Sequence, residues 1–310
     1  MNIVRVALAV PLPRFFDYLY SPDLMPIVGG RVLVPFGSQK RVGIVVDLPA
    51  SSDVAKEKLK PIIDVLDADS LFNSTTWDWL AWSANYYRAA LGDVLFQALP
   101  VKLRNGESAV KNDRTFWRIT DLGKQALESG ELKRAKKQIE ALNLLLTQDL
   151  EKGNNEISSA IWSALKGKDY VEEIIVPTEQ KSWQQTLGNN PLVNLDNRLT
   201  LNKQQALAFS QLIFQEGFNV WLLEGVTGSG KTEIYLQYIE EVLKKGKQVL
   251  VLVPEIGLTP QTVRRFQARF NVEIDVLHSN LNDSQRLNVW ERARTGQSAI
   301  VIGTRSALFT

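Results

Sequence analysis

The sequence has no cysteine, one histidine and two methionines in 310 residues. The missing thiols exclude a disulfide framework and thiolate zinc ligation within this stretch, and they suit a reducing cytoplasm. His278 has no second histidine or cysteine with which to hold a metal. There is no run of about 18 apolar residues, and the apolar start at residues 4–10 is broken by Pro11 and Pro13. Neither a membrane span nor a signal peptide is therefore expected. Charge of one sign is scarce as well. The 36 Lys and Arg against 34 Asp and Glu leave a net +2, so contact with a polyanion has to come from local patches. What remains is an ordinary globular composition, 45% hydrophobic and 23% charged, in a chain long enough for two or three domains.

Residues 4–10, 17–20, 31–35, 41–46 and 62–66 are short β-rich runs punctuated by Gly and Pro, and they predict a small β-barrel or half-barrel. A helix is expected over 74–90, with Ser74 as its cap and Trp79, Trp82 and Tyr86 at helical spacing. This first domain is expected to span 1–105. Residues 106–177 combine a β run at 115–119, helical patterns at 135–146 and 157–165, and an apolar run at 171–176. That mixture suits a winged-helix-like α+β domain and leaves other small α+β folds open. The polar stretch 178–197 reads as a linker. From 198 to 310, buried-strand runs at 220–223, 248–253, 272–277 and 299–302 alternate with helices at 232–245, 260–270 and 283–295. This is the pattern of a parallel α/β sheet. The series stops at Thr310 without a closing element, so the chain is expected to be part of a longer protein.

Gly225, Val226, Thr227, Gly228, Ser229, Gly230, Lys231 and Thr232 form a G-x-x-x-x-G-K-T phosphate-binding loop, with the run Trp221-Leu222-Leu223 before it and an amphipathic helix after it. Glycines in such a loop let backbone N–H groups converge on the β-phosphate, and the helix N-terminus adds positive potential. Lys231 is expected to neutralise β- and γ-phosphate oxygens of ATP, and Thr232 to ligate Mg²⁺. The following helix is expected to bury Tyr235, Tyr238, Ile239 and Val242 and to end at Lys244, Lys245 and Gly246. Gln205, about 20 residues upstream of the loop, is a candidate reader of the adenine edge. No Asp-Glu pair follows the loop at the end of a buried strand, so this stretch alone is expected to bind ATP and to hydrolyse it poorly. His278 stands at a strand end, where a polar loop contact is the ordinary role. Trp77, Trp79, Trp82, Tyr86 and Tyr87 have core spacing. Lys133, Arg134, Lys136 and Lys137 form a charge run that either faces water or meets phosphates.

Several longer stretches resemble the PriA helicase family of primosomal N′ proteins. They include the phosphate loop with Glu233, VPEIGLTPQ at 253–261, LHS at 277–279, LNDSQR at 281–286 and IVIGTRSALF at 300–309. The N-terminal half is similar in VPLPRFFDY at 10–18, RVLVPFG at 31–37 and GDVLF at 92–96. The resemblance implies a superfamily 2 helicase moving 3′ to 5′ on single-stranded DNA. Such an enzyme recognises abandoned forks and D-loops and helps reload the replicative helicase. The implied architecture is a β-rich 3′-end DNA-binding domain, a winged-helix-like domain and the first part of a RecA-like lobe that ends before the Walker B motif. It also implies a pocket for the 3′ end of a leading strand at Phe16, Asp17, Gly37 and Lys60, with an aromatic face, a carboxylate acceptor, a bare backbone and a cation. Tracking-strand contacts are implied at Pro254, Thr259, Gln261, Thr304 and Arg305, and Glu233 lies with the nucleotide site. Zinc is expected only in a C-terminal region not in this sequence. Single-stranded DNA-binding protein and other primosome proteins are the implied partners, and a bacterial, nucleoid-associated cytoplasmic location follows. The alternative is a fork-DNA-binding module without motor activity.

Overall fold

The computed structural model describes residues 2–109, 114–129, 132, 135–152, 157–176, 180–212 and 217–310. They form two compact units, one of residues 1–109 with 181–310 and one of 110–180.

The first unit opens with β1 (Asn2–Leu8), β2 (Phe16–Tyr20), β3 (Arg31–Phe36), β4 (Gln39–Asp47) and β5 (Asp64–Val65), in the order β2-β1-β4-β3-β5. All four ladders are antiparallel. Their β-branched residues Val4, Val6, Val32, Val34 and Val45 fill one core with Leu8, Tyr18 and Ile62. The two sheet edges approach each other: Leu19 N–H donates to Lys60 O and Ile62 N–H to Leu19 O, both at 2.9 Å. The sheet thus curls into the expected half-barrel, although its last strand is only two residues long. The turn between β3 and β4 is tight, and Gly37 takes φ +61° there, a region that suits glycine.

Three helices cover this sheet: α1 (Ser74–Tyr86), α2 (Leu91–Gln97) and α3 (Val101–Arg104). The cap of α1 is Asn73, whose side chain accepts from Thr76 N–H, and not Ser74, which is already helical. Gly92 lets α2 rest on β1, because a Cβ there would lie 2.0 Å from the Leu8 carbonyl oxygen. The aromatic stripe of α1 is core only in part. Trp77 and Trp79 pack on the buried cluster of Leu80, Leu95, Leu99 and Leu103, whereas Trp82, Tyr86 and Tyr87 are 55%, 65% and 72% exposed. Spacing groups these rings along the helix, but in its C-terminal half the buried residues are Leu80 and Ala84, and the rings of Trp82 and Tyr86 stay outside that face. Trp82 and Tyr86 instead stack on each other at 4.9 Å.

The second unit contains β6 (Arg114–Ile119), α4 (Asp121–Glu128), α5 (Lys136–Thr147), β7 (Leu150–Glu151), α6 (Ser159–Lys166) and β8 (Val171–Val176). Its antiparallel sheet runs β7-β6-β8. Trp117 and Trp162 stack at 5.3 Å inside a core with Leu142, Leu145 and Leu165. Lys133 and Arg134 lie outside the described residues, while Lys136 and Lys137 open α5. Helix α4 has no counterpart in the sequence reading; Thr120 caps it by accepting from Gly123 N–H.

The chain re-enters the first unit at Lys181. The stretch expected to be a linker is part of the fold: α7 (Trp183–Leu187) has a full capping box, and Trp183 and Val193 are buried with Phe266 and Phe270. Few apolar residues carry this packing, so the polar composition conceals it. Then come α8 (Lys203–Ser210), α9 (Lys231–Lys244), β9 (Val249–Leu252), α10 (Pro260–Arg269), β10 (Ile274–Leu277), α11 (Asp283–Arg294) and β11 (Ile300–Gly303). The parallel sheet runs β10-β11-β9, with β11 buried along its whole length. This is the α/β layer expected of a partial RecA-like lobe. The run at 220–223 is not a strand. It pairs with neither edge of this sheet, and Val220 and Leu222 are 77% and 84% exposed. Apolar sequence alone does not make a strand where no ladder partner lies alongside.

Helix α11 joins the two halves of this unit. Leu287 and Trp290 are buried in the same cluster as Leu80, Leu95, Leu99 and Leu103. Trp290 Nε1 donates to Phe309 O at 3.0 Å, and the Phe309 ring meets Trp79 at 5.5 Å. Arg31, fully buried, fastens the end of α3: its guanidinium pairs with Asp67 and donates to the carbonyls of Leu103 and Glu107.

Candidate functional site

The phosphate loop stands at the N-terminus of the 14-residue α9. Gly228 and Gly230 take φ +82° and +83°, so the backbone turns in the left-handed region at both positions. The Lys231 ammonium folds over the loop and donates to the carbonyls of Gly225 and Val226. A Cβ at Gly225 would lie 2.7 Å from Ser229 Oγ, so a side chain there would require the serine hydroxyl to turn away. Gln205, on α8, is brought to the loop: its amide Nε2 donates to Ser229 O at 2.9 Å, and its Oε1 accepts from Asn202 N–H in the α8 capping box. This cradle of turned backbone, helix N-terminus and lysine fits a polyphosphate with its metal ion.

Helix α9 buries a different face from the expected one. Tyr235 is 48% exposed, and the buried set is Glu233, Ile234, Leu236, Gln237, Ile239, Glu240 and Leu243. Polar residues enter this face because Arg269, 1% exposed at the end of α10, donates to Glu233 Oε1 at 2.9 Å and to Asn197 O at 2.7 Å. Gln237 donates to Glu233 and to Leu199 O. Glu233 therefore points into a buried ion pair that ties α9 to α10 and to the segment leading to Gln205. A hydrophobicity pattern does not show such a pair, since it counts each of its members as solvent-facing.

The loops after β9, β10 and β11 gather on one side of the lobe. Thr259, Pro260, His278 and Thr304 line a common cleft with Glu255, and Thr259 caps α10 by accepting from Thr262 N–H. His278 has an ordinary loop role: its Nδ1 accepts from Asn280 N–H, and its carbonyl accepts from Arg286. Arg305 is exposed and makes no ion pair among the described residues. Pro254, on the loop after β9, and Gln261, in the first turn of α10, are exposed.

In the N-terminal half, Phe16, Asp17, Gly37 and Lys60 all line one pocket, together with Arg5, Arg14, Phe36 and Lys58. Phe16 and Phe36 meet edge to face at 5.2 Å. Asp17 faces Arg5 across the β1–β2 ladder, and the guanidinium grips it at 2.8 and 3.1 Å. The Ser52 hydroxyl donates to the same carboxylate at 2.6 Å. The Arg5 hydrogen bonds hold the Asp17 carboxyl below its ordinary range, burial opposes them, and Ser52 adds to them. Burial pushes the Tyr18 phenol up to about 12, and its hydroxyl donates to Pro35 O. Gly37 has open space where its Cβ would be, so its turn leaves the pocket mouth clear. Arg5 and Ser52 were not legible as site residues from sequence. Only the strand register brings Arg5 opposite Asp17, and Ser52 arrives from 35 residues away.

Residues 5–100 match the family described as the PriA 3'DNA-binding domain (3'BD), and residues 202–310 match the DEAD/DEAH box helicase family. Over its full length the chain is 75% identical to the replication restart protein PriA of Haemophilus influenzae and covers 42% of it. It is 33% identical to the PriA of Buchnera aphidicola subsp. Acyrthosiphon pisum, covering 42% of that protein. With the PriA of Synechocystis sp., 98% of the chain aligns at 32% identity, over 45% of that protein. The chain thus spans less than half the length of these relatives. With a 3′ DNA-binding domain and a helicase segment joined in this way, it belongs to the PriA family of replication restart proteins.

Proposed function

We propose that this chain is the fork-recognising and nucleotide-binding part of an ATP-dependent DNA helicase that travels 3′ to 5′. The whole protein recognises stalled forks and D-loops, remodels them and promotes reloading of the replicative helicase. The observation that carries the reading is the convergence of Phe16, Asp17, Gly37 and Lys60 on one pocket, within the same compact unit as the phosphate loop. In that pocket Phe16 stacks the terminal base, the Asp17 carboxylate accepts from the 3′-hydroxyl, Gly37 admits the sugar and Lys60 meets phosphate.

At the nucleotide site, Lys231 exchanges its bonds to loop carbonyls for the β- and γ-phosphate oxygens of ATP, and Thr232 supplies a ligand to Mg²⁺. The loop backbone holds the β-phosphate, and Gln205 braces the loop on the adenine side. Thr259, Gln261, Thr304 and Arg305, with Pro254 shaping its loop, meet the phosphates of the tracking strand, since they lie on the loops that follow successive parallel strands. The 110–180 unit is read as a winged-helix-like contributor to DNA binding. Single-stranded DNA-binding protein and primosome proteins are its proposed partners. Because the sequence has no Asp-Glu pair after the loop, the 310 residues by themselves act as a DNA-binding module with weak turnover.

The test uses the complete protein. Lys231→Ala is expected to abolish DNA-stimulated ATP hydrolysis while fork affinity stays within about threefold, a difference of under ~1 kcal/mol. Retained hydrolysis, or fork binding lost together with it, contradicts the assignment.

A further inference from the structure

Next to the N-terminal pocket lies a second cleft, between the β3–β4 hairpin and α2–α3. It is lined by Lys40, Arg41 and Arg104, with Leu33 and Phe96 as its apolar floor and Asp93 as its one acid. We propose that this cleft binds the sugar-phosphate backbone of the nucleotides 5′ to the terminal one, so that the captured strand runs from the pocket towards α2 and α3. The assignment rests on the 3′-end reading of the neighbouring pocket.

Arg104 is the fixed point. Its Nε donates to Leu99 O at 2.6 Å and its Nη2 to Gln97 O at 3.2 Å, so the guanidinium is held rigidly against the helix ends. It forms no ion pair among the described residues. Partial burial pulls its pKa below the usual arginine value. A half-desolvated, immobilised cation without a carboxylate partner is an anion site already organised, and a guanidinium fork suits phosphate oxygens.

Arg41 links the two clefts. Its guanidinium lies 5.5 Å over the Phe36 ring, and Phe36 meets Phe16 inside the first pocket. A strand whose last base rests on Phe16 leaves past Phe36, meets Arg41, and then reaches exposed Lys40 and Arg104. Neither Lys40 nor Arg41 makes an ion pair among the described residues. Three unpaired cations against one acid give this face a local charge that the chain's net +2 conceals. The regularly spaced charge of a nucleic-acid backbone matches such a row of cations, and its sugars suit the apolar floor of Leu33 and Phe96.

The experiment measures binding of the 310-residue chain to a 3′-hydroxyl decanucleotide by fluorescence anisotropy at several salt concentrations. Binding of a dinucleotide is followed by NMR titration. Lys40→Ala combined with Arg41→Ala removes two surface side chains, and Arg104→Lys keeps the charge while discarding the fork. The double variant is expected to bind the decanucleotide about tenfold more weakly, with a salt slope shallower by about 1.4, or 0.7 per phosphate on a single strand. Dinucleotide affinity and the preference for a 3′-hydroxyl over a 3′-phosphate should be unchanged. Arg104→Lys should lose affinity for the decanucleotide alone. An unchanged slope overturns the proposal, as does an equal loss on the dinucleotide or tighter binding of a poly-glutamate peptide than of the decanucleotide. If the unaltered chain shows no 3′-hydroxyl preference, the pocket reading fails, while the slope comparison still decides the cleft.

Discussion

In the proposed pocket Asp17 is a stronger acceptor when charged, and its neighbours favour the charged form. Arg5 supplies two hydrogen bonds and Ser52 a third, which lower the carboxyl pKa against the opposing effect of burial. A carboxyl whose folded pKa is depressed stabilises the protein above its unfolded pKa of about 3.9 and loses that contribution as pH falls through the lower folded value. Removing the guanidinium should return Asp17 towards the ordinary value. Arg5→Ala is therefore expected to lose its preference for a 3′-hydroxyl end at a higher pH than the unaltered chain, the acid limb moving up. Binding of paired oligonucleotides between pH 3 and pH 7 measures this shift, and superimposable acid limbs contradict it. Asp17→Asn should remove the preference at every pH while leaving the fold in place.

At the scale of the elements, close backbone approach explains α2. Gly92→Ala forces a methyl group against the Leu8 carbonyl and is expected to cost about 1–3 kcal/mol, read as a lower urea midpoint with an unchanged slope. Loss of the α11 capping box in Asn282→Ala should cost about 1 kcal/mol by the same measurement. β1 and β4 were legible as short β-branched runs, buried on both sides of the sheet, and α10 and α11 as helical stretches between buried-strand runs. The misreadings share a cause of another kind. The face of α9 was displaced because Glu233, Gln237 and Glu240 are buried against Arg269. The stretch 178–197 looked like a linker because few apolar residues, chiefly Trp183 and Val193, anchor its described part in the core. The α1 aromatics looked buried because spacing names a face and says nothing of what covers it. The phosphate loop was named from its residues and the helix after it is present, but the strand expected before it is not. The N-terminal pocket was named through resemblance, and its supporting Arg5 and Ser52 needed the fold.

At the scale of the whole first unit, the N-terminal sheet with its helices and the α/β layer are not beads on a string. Leu287 and Trp290 of α11 share a core with α1, α2 and α3, and Phe309, at the end of the loop that carries Arg305, packs on Trp79. The N-terminal pocket and the loop after β11 are thereby tied to one shared core. Leu287→Ala is expected to destabilise this unit by about 2–5 kcal/mol and to raise hydrogen exchange in α2 and α3 as well as in α11. Exchange confined to α11 would mean that the halves fold separately. The central claim, that the N-terminal pocket reads the hydroxyl end of a strand, is tested most directly by the affinity of the 310-residue chain for two otherwise identical forks. One has a leading strand ending in a 3′-hydroxyl, the other in a 3′-phosphate, both at physiological salt. A negative terminal phosphate beside the Asp17 carboxylate is expected to weaken binding by about tenfold, close to 1.4 kcal/mol. Equal affinities for the two forks would contradict the account.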